Sequence, residues 1–295
     1  MAGVGKDGGP EAPGRFPERE LIPYEPGRFE AAVALVLAPH PDDEVFGCGA
    51  ALASLRSRDV PVHVFVVSDG AGDELDAGRR GAIEAARLEE SRRALAVLGG
   101  ATLHRGGFLD RGLLDRTEDV ADALSVLLAR LGPDLVFAPS PVEIHPDHRG
   151  VAAALLSVAR RPSSDPGATV LSRARVAFFE ISQPIRPNFL LDATPHAGAK
   201  DRAMELFASQ NQGRPYPDLV RGLMSYRRMT LGPEVSAAEG YFVVPGQALR
   251  MTPDERLRAV LGPSIPPGEM LAPSSSERSL GQRLRGLVGF RGRPG

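Results

Sequence analysis

Val33-Ala34-Leu35-Val36-Leu37-Ala38-Pro39-His40-Pro41-Asp42-Asp43-Glu44 joins an apolar run to a cluster of groups that bind metals and move protons. The run reads as a strand buried on both faces, since it shows no polar alternation. A helical pattern starts near Gly47 and carries Ala51, Leu52 and Leu55. His40, Asp42 and Asp43 therefore fall in the turn between a buried strand and a helix, at the strand's carboxyl end. In open α/β sheets that edge is where ligands bind. The arrangement recurs downstream, where His145-Pro146-Asp147-His148 follows the apolar run Leu135-Val136-Phe137-Ala138.

The chain around these motifs is large enough for one sizeable core, with 295 residues of which 42% are hydrophobic. A net charge of -2 gives no global field that would attract nucleic acid. The single cysteine, Cys48, excludes an internal disulfide framework and a cysteine-built zinc site. No apolar run approaches the roughly 20 residues needed to span a bilayer. The first residues lack the apolar segment of a secretory signal. A cytoplasmic location is the expectation.

Strand and helix patterns alternate through the middle of the chain. Val60 to Val67 reads as a strand and Arg79 to Leu98 as a helix stopped by Gly99-Gly100. Thr102 to Arg105 is a short strand, followed by a helix from Glu118 to Leu131. The helix after His148 places Val151, Ala154, Leu155 and Val158 on one face. Strands are expected at Arg175–Ile181, Phe189–Asp192 and Tyr241–Val244. Helices are expected from Thr194 to about Gln210 and from Tyr216 to about Met229. This alternation predicts an α/β fold: a single Rossmann-like, doubly wound, mainly parallel sheet with helices on both faces. One folded domain over 21–261 is expected between a loose leader (1–20) and a Pro/Ser/Arg-rich, mostly disordered tail (262–295). In that tail Leu280, Leu284, Leu287 and Val288 recur at helical spacing among arginines. Such a basic apolar face suits an anionic membrane surface, although the glycines among them oppose a helix.

His40 and Asp43, three residues apart across a turn, can face one point. His148 completes a three-ligand set if its turn lies beside the first. Two histidines and a carboxylate leave a position open for water, as in catalytic zinc sites. Iron(II) suits the same donors. Asp42 is then free to act as general base on that water. His145 is expected to stabilise an oxyanion as imidazolium and to protonate the leaving amine, with Asp147 holding the ring oriented and charged. Two other classes compete. His40-x-Asp42 with a distant histidine also fits the facial triad of non-haem iron oxygenases, which sit on jelly-roll scaffolds. A metal- or sugar-binding protein without turnover is the other. Gly47-Cys48-Gly49 lacks the third glycine of a dinucleotide loop, and the neighbouring acids repel a pyrophosphate.

Pro39-His40-Pro41-Asp42-Asp43-Glu44 and His145-Pro146-Asp147-His148-Arg149, in their strand-turn-helix contexts, resemble the PIG-L/LmbE-like N-acetylglucosamine deacetylases. Weaker likenesses are Arg87-x-x-Glu90, Phe108-Leu109-Asp110, Lys200 with Ser209-Gln210, and Ala238-Glu239-Gly240-Tyr241-Phe242. The resemblance spans roughly residues 31–244. It implies a metal-dependent hydrolase of linear amides that acts on an N-acetylated amino sugar. It implies zinc on His40, Asp43 and His148, Asp42 as base, and Arg87 and Asp110 on the sugar hydroxyls. Where some members carry a tyrosine that serves the oxyanion, this chain has Glu143. The acceptor is expected to be set by the loops 68–78, 161–174 and 210–218.

Overall fold

The computed structural model describes residues 22–74 and 76–262. The expected leader, and the tail from residue 263 with its basic apolar face, lie outside the described residues. Seven strands form one sheet: β1 (Ala34–Ala38), β2 (Val62–Ser68), β3 (Thr102–Phe108), β4 (Leu135–Pro139), β5 (Arg175–Phe179), β6 (Phe189–Asp192) and β7 (Ala238–Pro245). Their order is β3-β2-β1-β4-β5-β7-β6. β3 through β5 pair in parallel, whereas β7 runs antiparallel to both β5 and β6. The mainly parallel, doubly wound sheet is thus found, and no jelly roll accompanies it among the described residues.

The period of two along each parallel strand divides the core. Ala34, Val36 and Ala38 join Val62, Val64, Leu135 and Phe137 on one face. Leu35 and Leu37 join Phe65, Val136 and Phe178 on the other. The first face is covered by α1 (Asp43–Arg56), α2 (Ala77–Val97), α6 (Ala197–Met204) and α8 (Tyr216–Arg227). The second is covered by α3 (Thr117–Leu131), α4 (Pro146–Arg160), α5 (Pro166–Arg173), α9 (Gly246–Met251) and α10 (Asp254–Leu261). A short α7 (Ala208–Asn211) follows the end of α6. Crossovers therefore change face between β1 and β4, the two strands that end in the histidine motifs. That switch point opens a crevice at their carboxyl ends.

The structure corrects several boundaries. The helix expected over 194–210 breaks into a 3-10 turn (Thr194–His196), α6 and α7. The segment 161–174, expected as a specificity loop, contains α5. Asp165 caps that helix on Ala168 N–H, and Arg161 reaches Asp122 of α3. α5 leads into Arg175, the first residue of β5, at the sheet edge opposite the motifs. The segment is thereby carried away from them.

α1 starts at the motif and is interrupted one turn later, where Cys48 adopts φ -142°, ψ 24°. The break frees backbone groups inside the core, and distant residues satisfy them. Glu239 of β7 accepts from Ala50 N–H (2.8 Å) and Ala51 N–H (2.9 Å), as a carboxylate does at a helix N-terminus. Lys200 of α6 donates to Phe46 O (2.8 Å) and to Glu239 (2.7 Å), and Tyr241 Oη donates to Glu239 (2.5 Å). The two weak family likenesses at Lys200 and at 238–242 thus meet in one lock that fixes how α1 leaves the motif. Ser209 likewise bonds Glu90 of α2 through N–H (3.0 Å) and Oγ (2.5 Å).

Lys200→Met leaves the buried Glu239 carboxylate without its counter-charge, and a loss of about 3–5 kcal/mol is expected from urea unfolding. The double variant Lys200→Met/Glu239→Gln should lose less than the sum of the single variants. A Lys200→Met protein as stable as the parent would show that the lock contributes nothing.

Candidate metal centre and active site

The two strand-to-helix turns meet at the switch point, and Asp43 is their common partner. Its Oδ2 lies 3.1 Å from His40 Nδ1 and 3.3 Å from His148 Nε2. It also accepts the His40 backbone N–H at 2.8 Å. Three donors held by a tetrahedral zinc at about 2.0–2.2 Å stand about 3.3 Å apart. The two separations from Asp43 Oδ2, to His40 Nδ1 and to His148 Nε2, match that spacing. Other donor sets are available. One ring nitrogen each of His40, His145 and His148 lie within 4.8 Å of one another, as do His40, Asp110 and Asp147. The surroundings are strongly acidic as well. Asp43, Glu44, Glu143 and Asp147 are buried, with Asp42 and Asp110 beside them.

These charges tune one another. Burial opposes ionisation of Asp43, yet the His148 charge and the bonds from both imidazoles hold its carboxyl well below the usual range. Burial lowers His40, but bonds with Asp110, Asp147 and Asp43 take it well above an ordinary imidazole. His148 is raised to about 9, chiefly by Asp43 working against burial. Asp42 and Glu44 move the other way from Asp43, since burial raises both, Glu44 to about 7. The buried carboxylates beside the two imidazoles give the centre negative charge that a divalent cation would balance. Donor chemistry and charge both fit a metal.

Asp42 is the N-cap of α1, with φ +142° and ψ -31°. A non-glycine residue there carries strain of about 1–3 kcal/mol unless its surroundings hold it. They do. Arg87 Nη2 donates to Asp42 Oδ2 (3.0 Å) and Pro41 O (3.0 Å), and Asp42 N–H donates to Glu44 Oε2 (3.0 Å). Arg87 Nη1 also donates to Gly70 O (2.5 Å), and Gly70 (φ +64°) is small enough for that approach. Arg87 is only 6% exposed. Its guanidinium aims Asp42, while its Nε has no hydrogen-bond partner among the described residues.

Asp110, also expected on the sugar, faces inward. Its Oδ1 lies 3.1 Å from His40 Nε2, and its Oδ2 accepts from Gly72 N–H (2.8 Å). Asp69, clamped by Arg80, accepts the Asp110 N–H (3.1 Å) and joins the loops after β2 and β3. Asp147 corrects the expectation more sharply. Its carboxylate accepts Arg111 N–H (2.6 Å) and Leu113 N–H (3.1 Å) and lies 3.3 Å from His40 Nε2. Among the described residues it makes no hydrogen bond to the His145 ring, so it orients His40 instead.

His145 is the half-buried N-cap of α4, and its Nδ1 accepts from Asp147 N–H (3.2 Å). With that lone pair used, the ring proton is assigned to Nε2. Burial, then the charges of His40 and His148, lower His145 below an ordinary imidazole. Sequence reading missed Glu143 as a site residue. It is buried at 1% exposure and bonded to Ile181 N–H (2.7 Å) and Ser182 N–H (3.1 Å). Leu109 and Ile144, beside Asp110 and His145, are exposed and add apolar surface next to the centre.

Known proteins resemble this chain. The family model described as PIG-L, GlcNAc-PI de-N-acetylase, matches residues 35–159, from β1 through α4 and so across both motifs. The probable N-acetyl-alpha-D-glucosaminyl L-malate deacetylase 2 of Bacillus cereus is 29% identical over 139 residues, covering 44% of this chain and 63% of that protein. The chain thus spans a little under two thirds of that relative. The uncharacterized deacetylase YaiS of Escherichia coli K12 is 31% identical over 132 residues, 43% of this chain and 67% of that protein. The solved N,N'-diacetylchitobiose deacetylase from Pyrococcus horikoshii superposes with a TM-score of 0.62 at 26% identity, covering 78% of this chain and 90% of that one. No helix among the described residues is long and apolar enough to cross a membrane. Two histidine motifs at one switch point, inside a matched family model and beside a relative above 30% identity, place this chain in the PIG-L family of GlcNAc-PI de-N-acetylase-like proteins.

Proposed function

We propose that this protein hydrolyses the N-acetyl group of an N-acetylglucosamine-type glycoconjugate, releasing acetate and a free amine. The observation that carries the reading is the convergence of His40 Nδ1, His148 Nε2 and Asp43 Oδ2, with the Asp42 carboxylate beside them. Deacetylases among the relatives, whose names specify glucosaminyl malate and diacetylchitobiose, support the reaction and the sugar class.

His40, Asp43 and His148 would hold the metal, zinc first and iron(II) second. When bound, it supplies Lewis acidity for the amide carbonyl and makes water at its open position more acidic. Asp42, aimed by Arg87, would take the proton of the attacking water as its oxygen bonds to the amide carbon. The carbonyl π pair moves onto oxygen, where His145 donates from Nε2–H to the developing charge. The oxyanion pair then re-forms the carbonyl as the carbon–nitrogen bond breaks, its pair leaving with the nitrogen, and Asp42 returns its proton to that nitrogen. Asp110 and Asp147 keep His40 oriented through its other nitrogen.

Elemental analysis of the purified protein should find about one equivalent of zinc or iron, and His148→Ala and Asp43→Ala should each lose it. Full metal loading in both variants would overturn the ligand set.

Asp42→Asn should keep its metal and lose at least about a hundredfold in turnover, the usual worth of a general base. The assay is acetate released from a panel of N-acetylated sugars. Near-parental turnover in metal-replete Asp42→Asn would move the base elsewhere, and the absence of acetate from every member of the panel would count against the deacetylase reading.

A further inference from the structure

We infer that Glu143 is a positioning residue for His148, holding that imidazole through Nδ1 while Nε2 faces the metal position. The inference rests on the metal reading above. It starts from an unusual burial. Glu143 lies in the loop between β4 and α4, two residues before His145, and its side chain is enclosed. A carboxylate is costly to bury unless charges or donors compensate it. Here Oε1 accepts from Ile181 N–H (2.7 Å), while Oε2 accepts from Ser182 N–H (3.1 Å) and from Ser182 Oγ. The segment following β5 therefore fixes the carboxylate in place.

The same Oε2 is the acceptor that faces His148. On one side of the His148 ring, Nε2 lies 3.3 Å from Asp43 Oδ2. On the other side, buried Nδ1 has no hydrogen-bond partner among the described residues, and Glu143 Oε2 stands 3.6 Å away. An imidazole that ligates through Nε2 carries its proton on Nδ1, and that proton needs an acceptor when water is excluded. A shift of a few tenths of an ångström makes Glu143 that acceptor. The other proposed imidazole ligand follows the same rule, because Asp110 and Asp147 both lie at the second nitrogen of His40. Each ligand ring thus has its own carboxylate, and for His148 it is Glu143. The carboxylate's backbone anchors place it behind the ring, away from the open metal position. Oxyanion donation is left to His145.

Three full-length variants separate orientation from anchoring. Glu143→Gln keeps the volume and one accepting oxygen but removes the charge behind Nδ1. Ser182→Ala loosens the anchor without touching His148. His148→Ala removes the proposed ligand itself. Zinc dissociation constants from chelator competition should rise about 10–100-fold for Glu143→Gln. They should stay within about threefold of the parent for Ser182→Ala, since its loss falls outside the His148 contact. In zinc-loaded parent protein, proton NMR should show a downfield, exchange-protected Nδ1–H of His148 that is shifted or lost in Glu143→Gln. A purely structural Glu143 would not move that resonance. If Glu143→Gln binds zinc as the parent does and keeps the resonance while His148→Ala loses zinc, the inference about Glu143 is wrong and the ligand set stands. If His148→Ala also binds zinc as the parent does, the ligand set fails, and the inference with it.

Discussion

The Asp43 carboxylate, held between the imidazoles of His40 and His148, is the contact from which the rest of the centre is built. Those groups come from turns more than a hundred residues apart, and they meet only because β1 and β4 are neighbours at the point where the crossovers change face. Remove that adjacency and each motif is an acidic helix start with a surface histidine. The apolar runs before the motifs therefore matter to chemistry as much as to stability. Their burial on both faces fixes the strand register that delivers His40 and His148 to one place.

Around that contact the protein arranges buried charges with few degrees of freedom. His40 and His148 each offer one nitrogen to Asp43 and turn the other toward different carboxylates, so neither ring is free to flip. Asp42 is held in a backbone conformation that a non-glycine residue seldom adopts, with Arg87 bonded to both its side chain and the preceding carbonyl. Strain of this kind persists where surrounding bonds over-determine it. Behind the motif, the Glu239–Lys200–Tyr241 lock fixes the broken start of α1. An apolar plug at that position would leave the freed amides of Ala50 and Ala51 unpaired.

Much of this was legible in the sequence because it is local. The runs at 33–37 and 135–138, each followed within a few residues by a histidine motif, place both turns at a strand's carboxyl end, and the three residues from His40 to Asp43 bring one ring and one carboxylate together. What was not legible depends on pairings across the chain. Arg87 and Asp110 read as outward sugar contacts because nothing local shows that their partners are Asp42 and His40. The local pairing of Asp147 with His145 was misleading: the carboxylate turns away to the amides of Arg111 and Leu113, and only its backbone N–H meets the ring. Glu143 was noticed only for the tyrosine it replaces. Its partners, Ile181 and Ser182, lie past β5. The antiparallel insertion of β7 between β5 and β6 has no local signal either, since Ala238–Pro245 reads as a strand in either direction.

The central claim is that one divalent metal sits among His40 Nδ1, His148 Nε2 and Asp43. Crystals of the zinc-loaded protein, with anomalous diffraction data collected on both sides of the zinc absorption edge, test it most directly. A single strong anomalous peak within about 2.0–2.2 Å of those three donors is the predicted result. A peak among the three imidazoles of His40, His145 and His148, or on the far side of His40 between Asp110 and Asp147, would contradict it.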